Sequence, residues 1–380
     1  MTLEETVQRF LFATVFLTML FAGGGFVEAQ FTAAELVYVP FVAHTEGAND
    51  SVWRSDLTIT NVETEDAIDV AMIFVPSGLT NNSYLFNDRS LWVGGREEDS
   101  FGILDESLAD IPPQGTVTIG DVVEEYWSEN SGSGFGGLIL FCYLADSLED
   151  DGTREDRNMT VGSRTYNVTT FWEPDEDNEG EYLEVDMTFG QSIQGVPWYN
   201  LADPAYVDDE TGVDLSFQIL QSAVQNDEYR FNLGLFNGSD RQTQLTLEIT
   251  PIDSDGQPFT NEDGDPLVFT TSLPPLAHVQ YHQILESVFG EDEVDEARFE
   301  VSVVQWATSG TNPKPLFTSY GSVVDNGSND PTTILPSFGT PYDIDCMWEP
   351  PDDGNGGGKT MTGAARNTRP LEVPPADVAR

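Results

Sequence analysis

Three histidines are the only imidazole groups in the 380-residue chain, and two of them lie close together. His278 and His282 would share one face of a strand, and Glu286 follows them on a predicted helical turn. Imidazole and carboxylate groups are zinc ligands, so these side chains, together with His44, are the first metal-site candidates. The alternative interpretation is that they are ordinary surface histidines.

An acidic segment between residues 253 and 265 carries groups that hard cations prefer. Asp253, Asp255, Asp263 and Asp265 could supply oxygen ligands to calcium, which is the only cofactor that the sequence indicates. The segment departs from the EF-hand template, because Gln257 occupies the third ligand position and the closing glutamate is absent. Asp-Gly is also a preferred hairpin turn. The pattern therefore favours a turn over a calcium site.

The chain has two cysteines, which could form a disulfide or supply a nucleophile. Cys142 lies in an apolar segment and Cys346 near the C-terminus, so a bridge between them would tie the end of the chain to its first half. The alternative is a buried Cys142 and a free or intermolecularly paired Cys346. Apolar surroundings raise the pKa of a thiol, which argues against a nucleophilic role for Cys142.

Other catalytic patterns are absent from the sequence. No Gly-x-Ser-x-Gly elbow occurs, and the glycine-rich segment 131–137 lacks the ending of a phosphate-binding loop. With 66 aspartates and glutamates, close carboxylate pairs are inevitable and do not by themselves indicate a glycosidase. We therefore predict no catalytic residue.

Tryptophans are the candidates for ligand binding, because their faces stack on sugars and anchor protein interfaces. Trp92, Trp172 and Trp198 lie in or beside predicted loops and are the predicted binding residues. The remaining tryptophans are Trp348, also beside a loop, and Trp53, Trp127 and Trp306, which fall at positions with a core pattern.

The sequence that carries these side chains contains an internal duplication. Residues 111–127 and 273–289 align without a gap, each with a proline pair, an alternating strand and then helical spacing. Four further pairs of segments match each other and occur in the same order in both halves. They are 53–61 and 229–237, 67–75 and 244–252, 138–144 and 299–306, and 162–167 and 321–326.

The repeat bears on the zinc hypothesis. At the positions of the two neighbouring histidines, the first copy has Thr116 and Gly120, and only Glu124 is retained. A ligand set present in one copy favours surface histidines over a metal site.

Short strands bounded by Gly, Pro, Asn and Asp, without long amphipathic helices, predict an all-β fold. We expect two tandem immunoglobulin-like antiparallel β-sandwich units, at 30–200 and 201–337, each with one short helix. A signal peptide is expected at 1–29, and a flexible acidic, Pro- and Gly-rich segment at 338–380.

Charge and the N-terminus indicate the compartment and exclude classes of partner. Residues 10–22 are apolar but too short to span a bilayer, and Val27-Glu28-Ala29 places small residues before a cleavage site at Gln30. This predicts a secreted protein, extracellular or at the cell surface, with no membrane insertion. A net charge of -51 argues against nucleic acid and anionic lipid as partners. An extracellular protein or a glycan stays open, as does the oligomeric state.

Several segments resemble a group of exported bacterial tandem β-sandwich proteins for which no activity is known. The resemblance implies a shared fold and no functional residue. It covers most of the chain between residues 38 and 337 and rests on these residues: Tyr38, Pro40 and Ala43; Trp53, Ser55, Asp56, Leu57 and Asn61; Ser163-Arg164-Thr165-Tyr166-Asn167; and Thr188-Phe189-Gly190-Gln191.

Together these features predict a non-catalytic extracellular protein for surface structure, adhesion or ligand binding, with a glycan as one ligand class. The alternative is a secreted hydrolase that acts on glycans. A deep cleft between the two units, lined by tryptophan and paired carboxylates, would favour the enzyme. A flat charged surface would favour the non-catalytic module.

Overall fold

The most apolar segments of the first half form its strands. These strands are β1 (Leu36–Ala43), β2 (Thr45–Glu46), β3 (Val52–Asn61), β4 (Ile68–Pro76), β5 (Trp92–Gly94), β6 (Thr116–Ile119), β7 (Phe135–Leu144), β8 (Met159–Pro174), β9 (Tyr182–Gln194) and β10 (Val196–Pro197). Strand β4 is buried at every position, whereas β3 alternates buried and half-buried residues with the period of a strand.

The second half has its own set of strands. They are β11 (Val207–Asp208), β12 (Val213–Asp214), β13 (Phe217–Gln225), β14 (Tyr229–Asn237), β15 (Thr243–Asp253), β16 (Phe269–Leu273), β17 (His278–Tyr281), β18 (Val294–Thr308), β19 (Phe317–Asp325), β20 (Pro331–Ile334) and β21 (Ser337–Phe338). Two short α-helices, α1 (Val122–Trp127) and α2 (Ile284–Ser287), and two 3-10 turns, Glu106–Leu108 and Trp198–Asn200, complete the described elements.

This computed structural model describes part of the chain, within one compact unit that begins at Ala33. The described residues are 33–47, 52–78, 91–94, 105–128, 134–147, 154–174, 182–202, 207–208, 213–214, 217–239, 243–308 and 316–338. The predicted signal peptide and the segment beyond residue 338 lie outside them. Among the described residues, no helix has the length and apolar character needed to cross a membrane.

The two halves have the same sheet topology, which confirms an all-β fold. In the first half one sheet has the order β10-β1-β7-β4-β5, and the second half repeats it as β21-β13-β18-β15-β16. The facing sheet contains β3-β8-β9 with β6 on β3, and its counterpart contains β14-β19-β20 with β17 on β14. All these pairings are antiparallel. The finer immunoglobulin-like assignment stays a prediction.

Each half encloses a separate apolar core between its two sheets. Val70, Phe74 and Leu140 of one sheet share the first core with Leu57 and Ile59 of the other. In the second half, a corresponding cluster joins both sheets and includes Phe231, Leu247, Ile249, Phe299 and Phe317. Apolar burial of this kind is the main force that holds two sheets face to face.

Both helices begin in the same way, as the repeat predicts. Asp121 and Gln283 precede α1 and α2 in the left-handed conformation, with φ of 46° and 48°. The backbone N–H of Asp121 donates to Asp56 Oδ1 at 3.0 Å, and that of Gln283 donates to Asn232 Oδ1 at 3.0 Å. These side-chain contacts fix each helix to the strand beside it.

The structure corrects one pair of matched segments. Leu57 pairs with Ser163 and Leu233 pairs with Gly321, so Ser163, rather than Gly162, is the counterpart of Gly321. The sequence match of 162–167 with 321–326 is therefore one residue out of register. It rested on a shared Gly-Ser pair, whereas register is set by pairing with the neighbouring strand.

Hydrogen bonds and ring contacts hold the halves against each other. The Tyr38 hydroxyl donates to the Gly238 carbonyl at 3.0 Å, and Asn167 Nδ2 donates to the Asn329 carbonyl at 2.6 Å. Phe236 of the second half packs into the core of the first. Because these contacts lie at separate points of the interface, they leave a cleft between the halves.

Candidate functional site

A cleft of about 650 Å³ lies between the two halves of the molecule. Among the described residues, four aromatic side chains line it: Phe41, Trp53, Phe135 and Tyr320. Its polar lining consists mainly of amide and hydroxyl side chains, with one guanidinium. These residues are Gln191, Asn232, Gln280, Thr45, Thr165, Ser322, Thr333 and Arg230, with His282 and Glu46 beside them. A concave site that mixes aromatic faces with a few polar groups is typical of small-molecule binding.

The aromatic part of the lining crosses the boundary between the halves. Phe41 on β1 lies 6.1 Å from Phe135 on β7 and 5.8 Å from Tyr320 on β19, measured between ring centroids. Phe41 and Phe135 belong to paired strands of the first half, and docking of the halves adds Tyr320 to them. Local sequence periodicity contains no signal for that docking.

Tyr320 lies over a glycine of the adjacent strand. Gly234 on β14 is its cross-strand partner, and a Cβ at Gly234 would lie 1.9 Å from the Tyr320 ring. Only glycine leaves room for the ring at this point. The glycine therefore decides where the Tyr320 ring lies in the cleft.

The Tyr320 hydroxyl is held from both sides. It donates to Gln280 Oε1 at 3.0 Å and lies 3.0 Å from His278 Nε2. Burial lowers the pKa of His278 to about 3 and raises that of Tyr320, so both groups are neutral at pH 7. They position the ring and carry no charge.

Arg230 is the guanidinium of the cleft, and neutral amides hold it in place. Its Nη1 donates to Asn326 Oδ1 at 2.7 Å and its Nη2 donates to Asn329 Oδ1 at 2.9 Å. Burial lowers the pKa of Arg230 and nearby Asp325 opposes the change, yet an arginine stays protonated at pH 7. The Asp325 carboxylate accepts N–H bonds from the turn that follows it, including that of Ser328 at 2.7 Å. Arg230 thus keeps its charge in the cleft.

Two further polar groups contribute to the lining. Burial and the nearby Arg230 charge lower the pKa of His282, so its ring is neutral at pH 7. Gln191 Nε2 is buried and has no hydrogen-bond partner among the described residues. A buried donor without a partner is costly, so an acceptor on a ligand would stabilise it.

No protein-family model matches this chain, and the search of curated proteins finds no match. Assignment of a ligand therefore depends on the chemistry of the cleft.

Of the predicted binding tryptophans, Trp92 and Trp198 lie at different sites. Trp92 is 6% exposed on β5 and stacks on Phe141 with ring centroids 6.0 Å apart, so the expectation of an exposed loop residue is wrong. Trp198 lines a separate cavity of about 340 Å³, where its Nε1 donates to Glu35 Oε1 at 2.8 Å. The side chain of Trp172 lies outside the described residues.

Two tryptophans with a core pattern lie elsewhere than predicted. Trp53 is half-buried and lines the cleft, because the buried alternation of β3 begins only at Ser55. Trp306 is 38% exposed, beyond an irregularity in the pairing of β15 with β18 at Thr246/Leu247. One extra residue in a strand exchanges its inner and outer faces. Trp127 is buried, as predicted.

The histidines do not form a metal site in the described part of the chain. His278 is 1% exposed, so the interpretation of a surface histidine is wrong for it, and β17 ends at Tyr281 before His282 is reached. His44 lies instead 2.9 Å from Asp121 and 3.3 Å from Glu124. No group of three or more His, Cys, Asp or Glu side chains is placed to hold a metal ion among these residues.

The calcium candidates form two consecutive turns, as predicted, and calcium binding by them stays a prediction. Asp253 Oδ1 accepts the N–H groups of Asp255 and Gln257 at 2.9 and 2.8 Å. Asn261 Oδ1 accepts those of Asp263 and Asp265 at 3.0 and 2.9 Å. Side-chain oxygens that close turns explain why these residues recur.

Cys142 is fully buried on β7, and burial raises the pKa of its thiol. Its predicted partner, Cys346, lies outside the described residues. The disulfide therefore stays a prediction.

Proposed function

We propose that the protein is a secreted, non-catalytic binding module and that its ligand, a glycan, lies in the cleft between the two halves. The observation that carries this proposal is the joint lining by aromatic rings, amides and a guanidinium. Sugar rings present apolar C–H faces that stack on aromatic side chains. Their hydroxyls exchange hydrogen bonds with amide and hydroxyl groups such as those of Gln191, Asn232 and Gln280.

A hydrolase that acts on glycans is the second candidate, and the cleft offers it less support. Glycoside hydrolysis uses two carboxyl groups about 5–10 Å apart across the scissile bond. Among the described lining residues, Glu46 is the single carboxylate. The test is incubation with a panel of labelled oligosaccharides. New reducing ends would indicate a hydrolase and contradict the non-catalytic binding module.

Trp53 is the residue through which binding is tested. We expect a glycan that binds the native protein to quench its tryptophan fluorescence, and Trp53→Ala to weaken that binding roughly tenfold or more through loss of stacking. Trp306→Ala is the control, because Trp306 is partly exposed and does not line the cleft. No binding across a broad glycan array, or equal affinity of Trp53→Ala and the native protein, would contradict the proposal.

Export is part of the proposal and has its own test. The apolar segment 10–22 and the small residues before Gln30 support cleavage at that point. N-terminal sequencing of the protein recovered outside a secreting host is expected to begin at Gln30. An intact N-terminus on protein retained inside the cell would contradict export.

A further inference from the structure

We propose that the saccharide bound in the cleft is acidic, and that a sugar carboxylate of the uronic acid class pairs with Arg230. This inference depends on the binding function proposed above and specifies its ligand class. It rests on how Arg230 is held and on how it differs from the arginine at the same position of the other half.

Arg54 in the first half is the counterpart of Arg230. Both occupy the second residue of the matched segments 53–61 and 229–237, and the pairings Arg54↔Tyr166 and Arg230↔Val324 place them at the same register. Arg54 Nε lies 3.5 Å from Asp121 Oδ2. The first copy of the fold therefore gives this arginine a carboxylate partner.

The second copy replaces two of the carboxylates near this position by amides, and the Asp325 carboxylate lies nearby without forming an ion pair with Arg230 among the described residues. The counterpart of Asp121 is Gln283, and the counterpart of Asp56 is Asn232. The backbone hydrogen bond between the two positions is retained at 3.0 Å in both halves, so the replacement removes charge without removing the local structure. Among the described residues, no carboxylate lies within ion-pairing distance of Arg230.

Hydrogen bonds hold the Arg230 guanidinium in place, and they involve only some of its N–H donors. Asn326 and Asn329 each accept one of its N–H groups and leave three of its five donors for other partners. A fork held in this way matches the two oxygens of a carboxylate, and a charge-assisted pair of this kind is stronger than a neutral hydrogen bond. The remaining lining supplies aromatic faces for the sugar ring that carries the carboxylate.

Two other arginines of the described residues show the contrast. Arg157 contacts Asp66 at 2.8 Å and Glu155 at 2.7 Å, and Arg154 contacts Asp156 at 2.9 Å. In a chain with 66 acidic and 15 basic residues, a carboxylate partner is easy to supply. A cleft arginine whose hydrogen bonds go to amides, with Asp325 nearby but not paired with it, is therefore suited to an acidic group from outside the chain.

The charge of the whole molecule further restricts which class of acidic saccharide can bind. A net charge of -51 and Glu46 in the lining both oppose a densely charged polyanion such as a sulfated glycan. A single carboxylate that reaches Arg230 gains a short-range pair, while distant charges are screened beyond about 8 Å at physiological ionic strength. Isolated uronic acid residues fit these conditions better than clustered sulfates.

The experiment compares three ligands of one size by isothermal titration calorimetry at pH 7. They are a galactose trisaccharide with one terminal galacturonic acid residue, the methyl ester of that acid and the neutral galactose trisaccharide. We expect the acid to bind the native protein roughly 10- to 100-fold more tightly than the ester or the neutral sugar. Equal affinity for all three would overturn the inference and leave the binding function standing. Absence of binding by any saccharide would overturn both.

Three variants test which residue causes the preference for the acid over the ester and the neutral sugar. Arg230→Gln should abolish it, and Gln283→Asp should weaken it roughly tenfold by restoring the carboxylate that Arg54 has in the first half. Arg54→Gln makes the same charge change at a residue that does not line the cleft and should leave the preference unchanged. A preference that persists in Arg230→Gln would overturn the assignment. Thermal denaturation checks that each variant folds, and the ligand comparison on the native protein decides the ligand class in any case.

Discussion

Asn61 and Asn237 make the same set of hydrogen bonds at equivalent positions of the two halves. Asn61 Nδ2 donates to the carbonyl groups of Asp66, Ile111 and Pro112 at 2.9, 3.0 and 3.0 Å. Asn237 Nδ2 donates to the carbonyl groups of Thr243, Leu273 and Pro274 at 3.1, 3.2 and 2.8 Å. Each asparagine thus joins the end of one strand to the proline pair of the repeat.

We expect Asn61→Ala and Asn237→Ala each to lower the free energy of unfolding by roughly 2–4 kcal/mol, because several buried carbonyls lose their donor. Urea denaturation followed by fluorescence measures the change. Val62→Ala, at an exposed position next to Asn61, is the control and should change stability by less than about 0.5 kcal/mol. Losses no larger than that of the control would show that these asparagines do not hold the strand ends.

Gly234→Ala should disturb the cleft through Tyr320. The added Cβ would lie 1.9 Å from the Tyr320 ring, so the ring has to move. We expect a loss of roughly 1–3 kcal/mol of stability, as for overpacking, together with weaker glycan binding. Near-ultraviolet circular dichroism and titration calorimetry measure the two effects.

Gly162→Ala is the matched control for that substitution. Gly162 is also a strand glycine, and nothing lies within 4 Å of a Cβ placed on it. Its replacement should leave stability and binding nearly unchanged. Equal effects of the two substitutions would contradict the role assigned to Gly234.

Buried His278 should make the protein less stable in mild acid. Its pKa is lowered to about 3 by burial, whereas an unfolded histidine has a pKa of about 6.5. Below the unfolded value the unfolded state binds the proton and the folded state does not, so stability present above pH 6.5 is lost as the pH falls toward 3. Between pH 7.5 and 5.5 this amounts to about 1.4 kcal/mol.

The measurement is the free energy of unfolding in urea at pH 7.5 and at pH 5.5. His278→Gln is expected to be less stable at pH 7.5 but to lose about 1.4 kcal/mol less than the native protein over this interval. Restricting the interval to pH 5.5 and above limits the contribution of ordinary carboxylates. The same pH dependence in both proteins would assign the acid sensitivity to other groups.

Asp253 should act through the geometry of its oxygen and not through its charge. Asn261 closes the following turn with an amide oxygen and the same pattern of two N–H groups. Asp253→Asn should therefore keep the stability within about 0.5 kcal/mol, whereas Asp253→Ala should lose about 1 kcal/mol. Thermal denaturation with and without calcium completes the test. A calcium-dependent stabilisation that Asp253→Asn abolishes would instead indicate a metal site.

The all-β architecture and the correspondence of the halves could be predicted from the sequence because both depend on local signals. Alternating apolar residues, the proline pairs at 112–113 and 274–275, and the switch to helical spacing are visible within short segments. The turns at Asp253 and Asn261 were predictable for the same reason. An Asx side chain closes a turn with backbone groups a few residues away.

The cleft depended on tertiary structure. Its aromatic lining comes from strands far apart in the sequence, and its arginine is distinguished from Arg54 only by which side chains surround it. The predictions for Trp53, Trp92, Trp306 and His278 were wrong because a bulge, a strand end and the docking of the halves decide which face is buried. The sequence alone determined the strands, the turns and the repeat, since these arise from neighbours along the chain. Only tertiary structure decided that Arg230 and Tyr320 share a cleft with Trp53, since that contact requires both halves to be folded and packed together.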